Sequence, residues 1–228
     1  MINENINTSI GAIITIDGPA ASGKGTLARR VATALGYAYI DTGAIYRLVA
    51  KSCLDKDVNL NDENAVITVA KDMAPHISIS DFDDPSIRAE NVSNAASKLA
   101  ALGELRTALL DIQREMAKTP PVLASGEAAK GSVLDGRDTG TIICPNATHK
   151  FFITADTPIR ADRRYKELQS KGISCSYESV LQDMLQRDER DSGRKDAPMK
   201  PAEDAHIMDT SSFSSDQVFA KIMKLLEK

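Results

Sequence analysis

A chain of 228 residues can bury one substantial core with a small inserted module, and 42% hydrophobic with 26% charged residues is ordinary for an α/β protein. A net charge of −4 and only 4% aromatic residues, with no Trp, give neither the basic footprint nor the stacking platforms of a nucleic-acid binder. Nucleic acid is therefore excluded as a main partner, and an anionic ligand has to be met by local Arg and Lys clusters.

The chain opens on polar Asn3, Glu4, Asn5 and Asn7, not on a basic leader. Ile10–Ile16 is apolar and β-branched, too short to cross a membrane, and ends at Asp17; it predicts a buried parallel strand. Leu27, Val31, Ala34 and Leu35 then recur at helical spacing up to Gly36. A strand over Tyr37–Ile40 and a helix from about Gly43 to Leu54 continue a βαβ rhythm, which predicts a parallel sheet covered on both faces.

That rhythm breaks between about 61 and 101. A helical pattern (Ala65, Val66, Val69, Met73) leads to an alternating stretch, His76–Ser80, expected as a strand, and then to a turn at Asp81, Asp83, Asp84 and Pro85. A helix near Glu104–Lys118 carries Leu105, Leu109, Ile112 and Met116 on one stripe and stops at Pro120–Pro121. Ser125–Gly131 is small and polar and is expected as a flexible loop. Val133–Asp135 and Lys150–Thr154 are expected as core strands, Thr157–Asp196 as a charged helical hairpin, and Ala205–Asp209 with a helix from Ser214 as the end of the domain. Cys53, Cys144 and Cys175 are too dispersed for a disulfide framework or a zinc site and fit reduced thiols in the cytoplasm.

Between the first strand and first helix stands Gly18-Pro19-Ala20-Ala21-Ser22-Gly23-Lys24-Gly25-Thr26, a G-x-x-x-x-G-K phosphate-binding loop in its proper context. Its two glycines let backbone N–H groups turn inward, the helix N-terminus adds partial positive charge, and Lys24 supplies a mobile cation for the β- and γ-phosphates. The hydroxyl for Mg²⁺ comes one place late, at Thr26 instead of residue 25, which argues against GTPases and motor ATPases. Asp135, ending its strand, is the expected acidic partner for Mg²⁺.

Transfer to an acceptor that is already a phosphate needs no strong base; it needs cations to join two polyanions. His76, His149 and His206 lie in no nucleophile-like context, while Arg is plentiful. Arg47 and Arg106 lie on helices, and Arg137-Asp138 follows the strand of Asp135, at the sheet edge where α/β proteins bind ligands. Arg160, Arg163 and Arg164 share one helix face, and Arg187, Asp191 and Arg194 form one stripe if their helix persists to Gly193. The hairpin is expected to act as a lid that excludes water from bound phosphates.

Gly18–Thr26, Asp41-Thr-Gly-Ala-Ile-Tyr-Arg47, Val92-Ser-Asn-Ala-Ala-Ser97, Asp135-Gly-Arg-Asp-Thr-Gly-Thr141 and Arg187-Asp-Glu-Arg-Asp191 with Arg194, in this order across nearly the whole chain, resemble bacterial cytidylate kinases. The resemblance implies a P-loop α/β/α fold with a parallel sheet, core 8–60, 102–156 and 197–228, a monophosphate-side insert at about 61–101 and a lid at about 157–196. It implies transfer of the γ-phosphoryl of ATP to CMP or dCMP with Mg²⁺. The composition, cysteines and short apolar run add the expectation of a cytoplasmic enzyme without membrane or nucleic-acid partners, and with no obligate interface visible in the sequence monomer is the default. By the same resemblance Thr42, Arg106 and Asp138 contact the cytosine; Arg47, Arg137 and Arg194 the acceptor phosphate; Ser97, Arg187 and Asp191 the sugar; and Arg160, Arg163 and Arg164 the ATP side. Lys24, Arg137, Arg164 and Arg194 would neutralise the charge that spreads during transfer. Thr42 stands where Ser is frequent, and the hydroxyl is kept. Kinases for other monophosphates and a non-catalytic nucleotide sensor are the competing readings.

Overall fold

The computed structural model describes residues 11–123 and 125–227. Five strands, β1 (Ile13–Asp17), β2 (Ala38–Asp41), β3 (Ser132–Gly136), β4 (His149–Thr154) and β5 (His206–Asp209), form one parallel sheet in the order β2-β3-β1-β4-β5. The strand predicted from Ile10 begins at Ile13 among the described residues; Ile10 itself, like residues 8–9 of the expected core, lies outside them. Buried Ile14, Ile16, Val133 and Phe151 face α1 (Lys24–Leu35) and α8 (Ser215–Leu226). Ile40 and Leu134 face the other way, into a larger cluster with α2 (Thr42–Asp55), α3 (Glu63–Met73), α4 (Glu90–Leu99) and α5 (Gly103–Lys118). These are the two helical layers that a wholly parallel sheet requires.

The segment between α2 and α5 belongs to that larger core: Val66, Ile67, Phe82, Ile87 and Val92 are buried against residues of α2 and α5. His76–Ser80 is not a strand. Ala74–His76, Ile79–Asp83 and Pro85–Arg88 are short 3₁₀ turns. Pro75 and Pro85 start two of them, and Ser78 with Asp81 makes a reciprocal cap at the head of the third. An alternating Ile77/Ile79 pattern without a neighbouring strand packs its side chains onto the core instead. Helix α4, absent from the sequence reading, follows at once. Beyond α5 the chain reverses tightly, with Gly126 N–H donating to the Leu123 carbonyl and Leu123 N–H to that of Glu127, both at 2.8 Å. The segment Ser125–Gly131, expected as a flexible loop, carries a short antiparallel contact, Ala128 with Val122.

Two helices, α6 (Thr157–Ser170) and α7 (Tyr177–Ser192), form the hairpin. Its own small core of Ala161, Leu168, Val180 and Met184 rests against Ala20 and Ala21 of the phosphate-binding loop. Among the described residues no helix is long and apolar enough to cross a membrane.

Candidate active site

Strand β1 delivers the loop Gly18–Gly23 to the C-terminal edge of the sheet. Gly18 (φ 147°) and Gly23 (φ 88°) adopt backbone that other residues resist, and a Cβ on Gly18 would lie 2.0 Å from the Ile153 carbonyl oxygen. Ala21 is also at positive φ (56°) and packs against the hairpin. The loop is braced from behind: the Thr210 hydroxyl donates to the Ser22 carbonyl (3.2 Å) and Arg160 to that of Ala20 (3.3 Å).

Lys24 lines a cleft of about 640 Å³ and reaches Asp135 at the end of β3, Nζ to Oδ1 3.4 Å. Tyr39 donates to the other Asp135 oxygen at 3.0 Å. The missing hydroxyl after Lys24 has a steric reason, since a Cβ on Gly25 would come within 2.9 Å of Asp135 Oδ2. Thr26, expected beside Asp135, is exposed and outside the cleft lining. Burial, reinforced by Arg137, lowers the Lys24 ammonium to about 8 despite Asp135 and Asp41.

The far end of the cleft is built from side chains on five separate segments. Asp41 caps α2 through the Ala44 N–H (3.2 Å) and binds Arg47 (2.6 Å) and Arg88 (3.3 Å). Burial opposes its ionisation, but Arg47, Arg88 and Lys24 outweigh this and hold the carboxyl below its usual range. Arg106 of α5 forms a short, buried ion pair with Asp138 and donates to the Ala100 carbonyl (3.1 Å), its guanidinium 5.4 Å from the centre of the Tyr46 ring. Thr42, which lines the cleft, donates to the Asp135 carbonyl (2.9 Å) and so keeps its acceptor capacity unspent in that bond.

Asp191 is the hub of the third group. It accepts from Arg137 Nε (3.1 Å) and Arg194, and lies 4.0 Å from Arg187. Burial alone would raise its carboxyl, and the three guanidiniums more than reverse that. Arg194 joins this group although it stands beyond the end of α7 at Ser192, so the predicted helical stripe is completed by a turn. Arg187 has the reverse problem: burial and Arg137 push its guanidinium down to about 10, and its Nε has no partner. Ser97 of α4 is buried and accepts from Arg190 (2.8 Å).

The three lid arginines separate. Arg164 lines the cleft and is held by Glu90 (2.5 Å) and Glu167 (2.9 Å). Arg163 turns away to Thr210, bonding its hydroxyl at 3.2 Å and its carbonyl at 2.9 Å. Arg160 corrects the expectation of a nucleotide contact. It is 3% exposed, and its donors go to Ala155, Ala20, Thr157 and both oxygens of Asp188, so it ties both lid helices to the loop.

Several cleft residues received no role from sequence. Arg88 lay hidden after an Asp/Pro turn, Glu90 and Tyr39 carried no motif, and Arg190 stood unassigned inside a quoted one. Asp17 accepts three hydrogen bonds from Thr139 and Gly140, and burial pushes its carboxyl up to about 6 against them. Among the described residues no cluster of three His, Cys, Asp or Glu side chains forms a metal cage. Asp135 remains a hard oxygen donor at the strand end, which suits a Mg²⁺ ion that keeps waters and takes its other ligands from phosphates.

Residues 14–228 match the family described as cytidylate kinase. The chain is 46% identical over 217 residues to a cytidylate kinase of Paramagnetospirillum magneticum, covering 95% of this chain and 98% of that protein. It is 44% identical to one from Brucella suis biovar 1 (94% and 92% covered) and to one from Methylocella silvestris (94% of each). Among solved structures, an uncharacterized protein from Eubacterium ventriosum aligns over 95% of this chain and 99% of its own with a TM-score of 0.51 at 14% identity, a likeness of fold alone.

Proposed function

This chain belongs to the cytidylate kinase family and transfers a phosphoryl group to CMP or dCMP, and from that premise we propose how its cleft does so. The observation that carries the reading is one continuous cleft with the phosphate-binding loop at one end and, around Asp191, an arginine cluster at the other. ATP takes the loop end: the backbone of Gly18–Gly23 and Lys24 hold its β- and γ-phosphates, with Thr26 at the head of α1. The acceptor phosphate takes Arg47, Arg137 and Arg194, its cytosine meets Thr42, Arg106 and Asp138, and its sugar meets Ser97, Arg187 and Asp191.

An oxygen of the acceptor phosphate attacks the γ-phosphorus as the bond to the β-phosphate bridging oxygen breaks, giving ADP and CDP or dCDP. The acceptor is already an anion, so no side chain has to remove a proton from it. Lys24, Arg137, Arg164 and Arg194 neutralise charge that spreads over the transferring group, in a cleft where dry surroundings strengthen each contact. Asp135 would hold Mg²⁺, which when bound supplies charge neutralisation between the phosphates; the Thr26 hydroxyl, exposed and outside the cleft lining, would have to turn toward it to serve as a second ligand. Arg164 leaves Glu90 and Glu167 for phosphate as the lid settles, and Arg163 supports it through Thr210. Segment 61–101 serves as the monophosphate side and 157–196 as the lid, in a cytoplasmic monomer.

The test is transfer from ATP with Mg²⁺ across CMP, dCMP, UMP, AMP, GMP and dTMP, ranked by kcat/KM. Strong preference for CMP and dCMP is expected, because a site built to hydrogen-bond one base leaves polar groups unpaired with another. Equal turnover of AMP or dTMP would sink the assignment of Thr42, Arg106 and Asp138.

A further inference from the structure

Arg137 and Asp138 sit on one short loop, Gly136–Gly140, and the side chain that fixes this loop is Asp17, the last residue of β1. Asp17 is 4% exposed, and no cation pairs with it among the described residues. Its Oδ1 accepts from the Thr139 N–H (2.9 Å) and the Thr139 hydroxyl (2.8 Å), and Oδ2 accepts from the Gly140 N–H (2.8 Å). Those two amides open the π-helical turn Thr139–Ile143, whose first carbonyl acceptor is Asp138, bonded by the Ile142 N–H at 2.9 Å. A carboxylate at the head of such a turn satisfies amides that have no other partner and meets their partial positive charge.

The neighbouring backbone has no slack. A Cβ on Gly136 would lie 2.4 Å from the Thr139 methyl and 2.7 Å from the Thr42 hydroxyl. The residue after Gly136 is Arg137, directed at Asp191, and the next is Asp138, directed at Arg106. Although Asp17 adjoins Gly18 in sequence, all three of these bonds run to the loop after β3, and none runs to the phosphate-binding loop.

We propose that Asp17 is a positioning residue for the acceptor nucleotide: it locks the Gly136–Gly140 backbone so that Arg137 and Asp138 meet CMP, while touching no nucleotide itself. The inference rests on the acceptor assignment above. A buried carboxylate without a cation is a poor choice for stability alone, and its three hydrogen bonds buy a loop geometry that a weaker acceptor would not hold.

The test is Asp17→Asn, which keeps an Oδ1 acceptor but sets an amide NH₂ against the Gly140 N–H. With CMP and ATP varied separately, kcat/KM for CMP should fall about 10–100-fold, the scale of one lost hydrogen bond to a charged group, with the KM for ATP within about twofold. Thr139→Val, which loses the hydroxyl, should lower kcat/KM for CMP about tenfold, and Thr139→Ser, which keeps it, should restore it to within about twofold. This pair decides the matter if Asp17→Asn does not fold. Equal losses toward ATP and CMP, or an unimpaired folded variant of a CMP-selective enzyme, would overturn the proposal alone. A wild-type protein that does not phosphorylate CMP would overturn the acceptor assignment, and the proposal with it.

Discussion

The two ends of the cleft are built from different materials. The donor end is a contiguous piece of backbone, Gly18–Gly23, set between β1 and α1 and braced from outside by Arg160 and Thr210. The acceptor end is assembled from side chains on α2, α4, α5, the loop after β3 and the end of α7. Its charged members are held by opposite charges, Asp41 with Arg47, Asp138 with Arg106, Asp191 with Arg137 and Arg194, and Ser97 by a bond from Arg190. Backbone needs only the right residues at the right φ, so it tolerates change elsewhere. The side-chain end depends on every element arriving, and removal of one partner leaves a buried charge behind.

The largest difference should come from Arg137→Ala, expected to cost about 10²–10³-fold in kcat with the circular dichroism spectrum unchanged, as loss of a transition-state charge stabiliser does. Near-normal turnover would remove Arg137 from the acceptor site. Asp138→Asn strands Arg106 without its counter-charge; breaking such a buried pair costs about 3–5 kcal/mol, to be seen in urea unfolding, together with a lower kcat/KM for CMP. An undiminished unfolding midpoint would mean that the pair contributes no stability.

Lys24→Met should separate the two ends. Transfer fails, CMP affinity by calorimetry stays within about threefold, and the ligand-free protein melts about 2–4 °C higher, because each kcal/mol recovered from a disfavoured buried ammonium is worth that much in a protein of this size. The sign follows from the depressed Lys24 value. Between about 8 and the unfolded value of 10.5 the unfolded chain binds more protons, so the stability of the ligand-free enzyme should rise with pH across that window, a slope that Lys24→Met removes. A lower melting temperature for the variant would show the Asp135 contact outweighing burial. The smallest effect is expected from Glu90→Gln, which loosens Arg164 at a half-exposed pair and should change the KM for ATP by about twofold or less; a tenfold change would make Glu90 part of the donor site.

The contrast also explains what was legible in sequence. Loop Gly18–Thr26 declares itself because strand, glycines, lysine and helix are contiguous, and the alternation of β1, α1, β2 and α2 follows from periods in one stretch of chain. Of the acceptor end, the Arg and Asp residues stand out as types, but their pairing is a tertiary fact. Nothing local says that Arg106 meets Asp138, or that Arg194 rejoins Asp191 beyond the helix end. Arg160 shows the opposite failure: sharing a helix face with Arg163 and Arg164 fixes a direction, not a destination, and the nearest acceptors happened to be carbonyls and Asp188. His76–Ser80 alternates like a strand, yet alternation says nothing about whether another strand is available to pair with it.

The order β2-β3-β1-β4-β5 carries a consequence for how the chain reaches this state. The first strand made is the central one, and both of its neighbours, beginning at Ser132 and His149, belong to the second half of the chain. No hairpin can nucleate the sheet, so long loops must close before any strand of it is paired, which slows folding and leaves both hydrogen-bonding edges of β1 open while the rest of the chain arrives. A ribosome-bound fragment ending before β3 would therefore display the backbone N–H and C=O groups of β1 without strand partners, and assembly of the sheet waits on the residues that carry Asp135 and Arg137.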